Sequence, residues 1–129
     1  MPIGDLAQLI ASAHVAVVPN RDAPFTGGIV PTKLFEYAGC GVPVIASRTA
    51  AIESHFSDAV ELVEPGNVDE LATTLIRLRF DSTRRAQLAQ ATDSIKKRYD
   101  WTRMGTEYVE TVERLIARRR PAGGRAGAT

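Results

Sequence analysis

The chain has 129 residues, which suits one domain with a modest core, and its formal net charge of +1 excludes the strongly basic face of a dedicated nucleic-acid binder. Hydrophobic residues at 44% and charged residues at 24% are the proportions of a soluble globular protein, and no apolar run is long enough to span a membrane. The single cysteine, Cys40, excludes an internal disulfide and fits a reducing compartment, so a cytoplasmic location is expected.

Asp5 can cap a first short helix with Leu6, Leu9, Ile10 and Ala13 along one side. His14 opens the strand that follows, and with no second His or Cys at ligand spacing no metal site is expected. Val15-Ala16-Val17-Val18 is apolar and largely β-branched, as in a strand buried on both faces, and Pro19-Asn20 ends it. Arg21 to Pro31 carries two prolines and the Gly27-Gly28 pair, so it reads as a loop. Thr32 is positioned to cap a helix Lys33–Ala38 that closes at Gly39 and Gly41, and Val42 to Ala46 is a second buried strand. Strand, loop, helix and strand make half of a doubly wound sheet, in which ligands bind at the carboxyl ends of the strands.

Thr49 to Phe56 reads as a short helix that starts at that same end, where Thr49 and Ala50 either approach a ligand or form a plain turn. Ala59 to Val63 is a third strand, closed by Pro65-Gly66. Asn67 caps a helix whose Val68, Leu71, Ala72, Leu75, Ile76 and Leu78 follow a helical period and should pack on the sheet. A further helix, begun by Asp81-Ser82 and ending at Arg98, has only the thin stripe Leu88, Ala91 and Ile95. It should be largely exposed, with Arg84, Arg85, Lys96, Lys97 and Arg98 solvated. Trp101, Met104, Tyr108, Val112, Leu115 and Ile116 give a last, long helix an apolar stripe. Residues 121–129 read as a disordered tail beyond a domain of residues 1–120.

The chemistry concentrates on the helix after the glycine loop. Lys33 and Glu36 are three residues apart and share one face near its amino end. That end offers unpaired N–H groups and the positive end of the helix dipole to a phosphate, and Gly27 and Gly28 allow close backbone approach. A Lys suits phosphate oxygens, and a Glu can accept hydrogen bonds from two sugar hydroxyls. Spacing alone leaves open a second reading, a solvated Lys–Glu pair on a surface helix.

The run Pro31-Thr32-Lys33-Leu34-Phe35-Glu36-Tyr37-Ala38-Gly39-Cys40-Gly41-Val42-Pro43-Val44-Ile45-Ala46-Ser47, preceded by Val17-Val18-Pro19, resembles the nucleotide-sugar-binding core of family 4 retaining glycosyltransferases. Those enzymes have the GT-B fold of two Rossmann-like domains. The resemblance implies an α/β fold: a partial Rossmann-like, GT-B C-terminal parallel sheet of about three strands, with flanking helices and a long C-terminal helix. It implies a nucleotide-diphosphate sugar as donor, with Glu36 on the ribose hydroxyls and Thr32, Lys33 and the residues before them on the diphosphate. No metal or other cofactor is implied. The family usually carries an earlier Glu near the transferred sugar, at the position that Gly28 holds here, so no catalytic residue is assigned.

The resemblance runs to about Tyr108. It leaves the acceptor-binding N-terminal domain and half of the donor-binding sheet to be supplied upstream or by a companion chain. The expected function is therefore that of a C-terminal glycosyltransferase piece, with a non-catalytic relic or interaction module as the alternative. In the whole fold the last helix lies against the N-terminal domain. Without that partner the Trp101–Ile116 stripe should drive self-association. Arg118-Arg119-Arg120 is compatible with weak contact to an anionic membrane surface, which would make the protein peripheral to the membrane.

Overall fold

The structure, a computed structural model, describes residues 2–21 and 23–119. The chain divides into two units, Met1–Arg98 and Tyr99–Thr129. In the first, α1 (Ile3–Ala11), β1 (Ala16–Val18), α2 (Thr32–Gly39), β2 (Val44–Ser47), α3 (Ala50–Phe56), β3 (Glu61–Val63), α4 (Val68–Phe80) and α5 (Ser82–Arg98) follow in order. The second contains α6 (Trp101–Arg119). The expected tail, residues 121–129, lies outside the described residues, as does Arg120.

The strands form one parallel sheet in the order β1-β2-β3, with Ala16 opposite Val44 and Ile45 opposite Glu61. Each expected strand is present but shorter than its apolar run. β2 is buried along its whole length, as a parallel strand covered on both faces must be. Val18, Leu34, Val44, Ile45, Ile52, Phe56, Leu78 and Ile95 are fully buried. A side chain such as Leu34 or Phe56 contributes about 1.5–3 kcal/mol on leaving water. The Phe35 ring meets Phe56 edge-on at 5.7 Å, fastening α2 to α3.

α2 ends as its sequence dictates. Gly41 adopts φ +73°, its N–H donates to Ala38 O at 2.9 Å, and the Val42 N–H reaches back to Tyr37 O at 3.1 Å. This is a Schellman motif, and it turns the chain straight into β2. The beginning of α2 differs from expectation. Pro31, with an extended backbone, takes the capping position, Thr32 is already helical, and no side chain caps the helix. A proline ring presets its own φ and leaves the following residue free to start the helix.

α4 and α5 differ from expectation too. α4 is capped as predicted, with Asn67 Oδ1 accepting from Glu70 N at 3.0 Å, but it buries only Thr74 and Leu78. Val68, Ile76 and Phe80 are exposed, so its apolar periodicity is wider than its buried face. α5, expected to be largely exposed with a thin apolar stripe, packs on α2 and buries Leu88 and Ile95 of that stripe together with Thr92. Its arginines are anchors, whereas Lys96 and Lys97 are exposed, as expected. Arg84 Nη2 meets Glu61 on β3 at 2.9 Å, and Arg77 of α4 binds the same carboxylate. Arg98 Nη2 bonds Asp58 at 3.0 Å while its Nη1 donates to His55 O at 2.8 Å.

α6, taken by itself, leaves Trp101, Met104, Tyr108, Val109, Leu115 and Ile116 exposed. No described helix is long and apolar enough to cross a membrane.

Candidate functional site

Because α2 runs directly into β2, its amino end lies toward the carboxyl ends of the parallel strands, where α/β sheets hold ligands. Three consequences of local sequence meet there. The first is the uncapped start of α2, whose Thr32 and Lys33 N–H groups have no intrahelical acceptor. α4, α5 and α6 are each closed by an Asn or Asp side chain: Asn67 on Glu70 N, Asp81 on Arg84 N and Asp100 on Arg103 N.

The second is the glycine loop. Thr26 Oγ1 donates to Arg21 O at 2.7 Å and Gly27 N to Ala23 O at 2.8 Å, which curls the loop back on itself. Gly27 and Gly28 then border an open hollow of about 470 Å³ with Ala23, Pro24 and Ala50. A Cβ added at Gly28 would meet nothing within 4 Å, so packing does not require glycine there.

The third is the pair of charges on α2. Lys33 is half-buried and Glu36 exposed, and neither is ion-paired with the other or with any described side chain. No ion pair joins them, and their access to solvent also fits the second reading from spacing, a solvated pair on a surface helix. The expected residues do not all share one hollow: Gly27 and Gly28 meet Ala50, whereas Thr32, Lys33 and Glu36 stand on α2 outside that lining.

Next to α3, Thr49 is fully buried and its Oγ1 has no described hydrogen-bond partner. Thr49 and Ala50, read from sequence as either near a ligand or a plain turn, thus flank the glycine loop. Arg48 braces this edge. Its Nη1 bonds Glu53 at 2.7 Å and its Nε bonds Glu64 at 2.8 Å, and these contacts, Glu53 first, hold its guanidinium above the usual range.

Sequence reasoning missed a second cavity at the same edge. It measures about 310 Å³ and is walled by Val17, Ile45, Val63 and Leu71, with Asn20, Arg21 and Ser47 among its polar groups. None of Gly27, Gly28, Thr32, Lys33 and Glu36 lines it. The strand ends Val18-Pro19-Asn20 and Ser47 gave the only sequence signal, and that signal needs the strand order to be read. Among the described residues no three His, Cys, Asp or Glu side chains are grouped so as to hold a metal ion.

Three parallel strands with helices in the crossovers define a protein of the doubly wound α/β class, in which ligands bind at the carboxyl edge of the sheet. Residues 1–110 match the model of the family described as "Glycosyl transferase-like", and the chain belongs to that family, of the GT-B type. It is 28% identical over 118 residues to a D-inositol 3-phosphate glycosyltransferase of Salinispora tropica, a match covering 90% of this chain and 23% of that protein. It is 30% identical over 102 residues to the sulfoquinovosyl transferase SQD2 of Arabidopsis thaliana, covering 75% of this chain and 19% of that one. The chain thus spans about a fifth to a quarter of the length of these relatives. A crystal structure of HepE from Anabaena in complex with UDP shares the fold, with a TM-score of 0.64 and 21% identity. The likeness covers 82% of this chain and 29% of HepE.

Proposed function

We propose that this chain holds the nucleotide-diphosphate sugar donor of a retaining glycosyltransferase. The observation that carries the reading is the uncapped amino end of α2, with Lys33 and Glu36 unpaired one turn into it. The helix end and the Lys33 ammonium supply positive charge for the diphosphate, while Gly27 and Gly28 let the loop backbone approach it. The Glu36 carboxylate accepts hydrogen bonds from the two ribose hydroxyls. HepE was solved with UDP, which supports a nucleoside diphosphate as the ligand class. Retention is the outcome shared by the family that the Pro31–Ser47 run resembles. Gly28 stands where that family usually carries a carboxylate, which favours, as a second reading, binding without transfer.

Titration of the chain with UDP, GDP and ADP, followed through backbone amide shifts, tests the binding. Shifts should centre on Gly27, Gly28 and Thr32 to Glu36, and Glu36→Gln should weaken affinity by about tenfold or more, since bonds to a charged acceptor are worth about 1.5–3 kcal/mol each. Shifts confined to Asn20, Ser47 and the second cavity, or none up to millimolar ligand, would overturn the assignment. If Lys33→Ala abolishes binding while Glu36→Gln leaves it intact, the ribose role of Glu36 is wrong and only the phosphate role stands.

A further inference from the structure

At the amino ends of the strands, away from the edge just described, lies a hollow of about 570 Å³ lined by His14, Val15, Leu75, Arg79 and Arg85. Its hydrogen-bond donors come from three elements: His14 from the segment before β1, Arg79 from the last turn of α4 and Arg85 from the first turns of α5. Among the described residues no carboxylate lines it. That departs from the pattern in this unit, where Arg48, Arg77, Arg84 and Arg98 each hold a carboxylate. Arg79 and Arg85 hold none among the described residues. The carboxylates closest to them in the chain and in the sheet are already engaged. Asp81 accepts from Arg84 N at 2.7 Å, and Glu61 is shared by Arg77 and Arg84.

The two guanidinium groups are positioned rather than loose. Arg85 Nη1 donates to Arg79 O at 2.8 Å and to Leu78 O, which leaves its Nε and Nη2 with no described partner. Arg79 lies over the Phe80 ring, 5.5 Å from its centroid. His14 is exposed and has no described hydrogen bond.

We infer that this hollow binds a phosphate group, gripped by the Arg79 and Arg85 guanidinium groups with His14 as a third donor. The planar guanidinium fork matches phosphate oxygens, and Val15 and Leu75 form the apolar side of the hollow. A phosphate free in solution and one on a lipid headgroup share this chemistry. The flank of α4 favours the headgroup. Ile76 is 61% exposed and Phe80 79% exposed beside Arg79, and an aromatic and an aliphatic side chain next to basic groups suit insertion into a membrane interface.

Two arms separate the sources. In the first, inorganic phosphate is titrated at constant ionic strength while the His14 imidazole and the arginine Nε–H resonances are followed. In the second, the chain is floated with phosphatidylcholine vesicles with and without phosphatidylglycerol. Phosphate-specific shifts at His14, Arg79 and Arg85 without vesicle binding assign free phosphate. Binding to the anionic vesicles that falls about fivefold in Arg79→Gln, but not in Lys97→Gln, assigns the headgroup. Arg85 also closes the end of α4, so the exposed residues Arg79 and His14 carry the test, with His14→Gln as the second variant. The inference is overturned if phosphate moves these resonances no more than chloride does and anionic vesicles either do not bind or bind Arg79→Gln as they bind the parent. Donor binding at α2 plays no part in either readout.

Discussion

The carbonyl oxygen of Gly27 accepts a 3.0 Å hydrogen bond from the backbone N–H of Ala51, the second residue of α3. That N–H is one of the orphan donors that a capping Thr would ordinarily satisfy. Here the glycine loop supplies the acceptor, and the Thr49 side chain at the capping position makes no bond and is buried. Among the described residues the loop is therefore tied to the helix start by a main-chain bond.

Thr49→Val follows from this. Removing a capping hydroxyl normally costs about 1 kcal/mol, whereas removing a buried, unsatisfied one relieves a desolvation penalty of about 1–3 kcal/mol. The variant should be as stable as the parent or more so by about 1 kcal/mol in urea unfolding. A loss of about 1 kcal/mol would mean that the hydroxyl does cap α3.

The two glycine sites separate backbone strain from ligand approach. Gly41 sits at φ +73° in the Schellman turn, so Gly41→Ala should cost about 1 kcal/mol, measured as a lowered Tm. Gly28→Ala has open space for its methyl group and should leave Tm unchanged. If the loop closes on a diphosphate, Gly28→Ala should nevertheless weaken UDP. Equal stability losses in the two variants would contradict this division.

Glu61 links β3 to α4 and α5, and its titration should show in acid unfolding. Burial alone would push its carboxyl up, but hydrogen bonds from Arg84 and then Arg77 outweigh it and hold the carboxyl below its ordinary value. A depressed carboxylate stabilises the fold above its unfolded range and stops doing so as pH falls through the folded value. Glu61→Gln should therefore be less stable than the parent at neutral pH, with the gap narrowing as pH falls below the ordinary carboxylate range. A gap independent of pH would show that the loss comes from packing alone.

The strands and the end of α2 were legible because short-range chemistry sets them: apolar β-branched runs between Pro, Gly and Asn, and a glycine where φ must be positive. α5 was only partly legible, for a physical reason. Its buried face includes Thr92, whose hydroxyl bonds Ala89 O at 2.6 Å and so hides a polar residue inside an apolar contact. Its arginines read as solvent-facing because their partners, Glu61 and Asp58, lie far off in sequence. At the site, Lys33 and Glu36 both stand on α2, while the hollow beside the strand ends draws ordinary residues from several segments and exists only once the sheet is built.

We propose that the exposed apolar side chains of α6 form an association surface. Trp101 and Tyr108 are 83% and 72% exposed, and several large apolar side chains left in water favour association at about 1.5–3 kcal/mol each. The chain should self-associate through this helix at micromolar concentration in sedimentation. Val112→Glu with Leu115→Lys should return it to a monomer. Unchanged hydrodynamics in the double variant would rule α6 out as the contact.

The pairing of Ala16 with Val44 and of Ile45 with Glu61 also sets an order of assembly. No strand can find its neighbour locally, so each ladder waits on the closure of a loop, and loop closure slows as the loop lengthens. The shorter excursion, from β2 through α3 to β3, should form first and act as a template. β1 must then join across the glycine loop and α2. In pulse-labelled refolding the amides of Val44 to Ser47 that face β3 should gain protection before those of Ala16 to Val18. The glycine-loop edge, built from the segment between β1 and β2, would then be the last part of the sheet to become native and the first to open under stress.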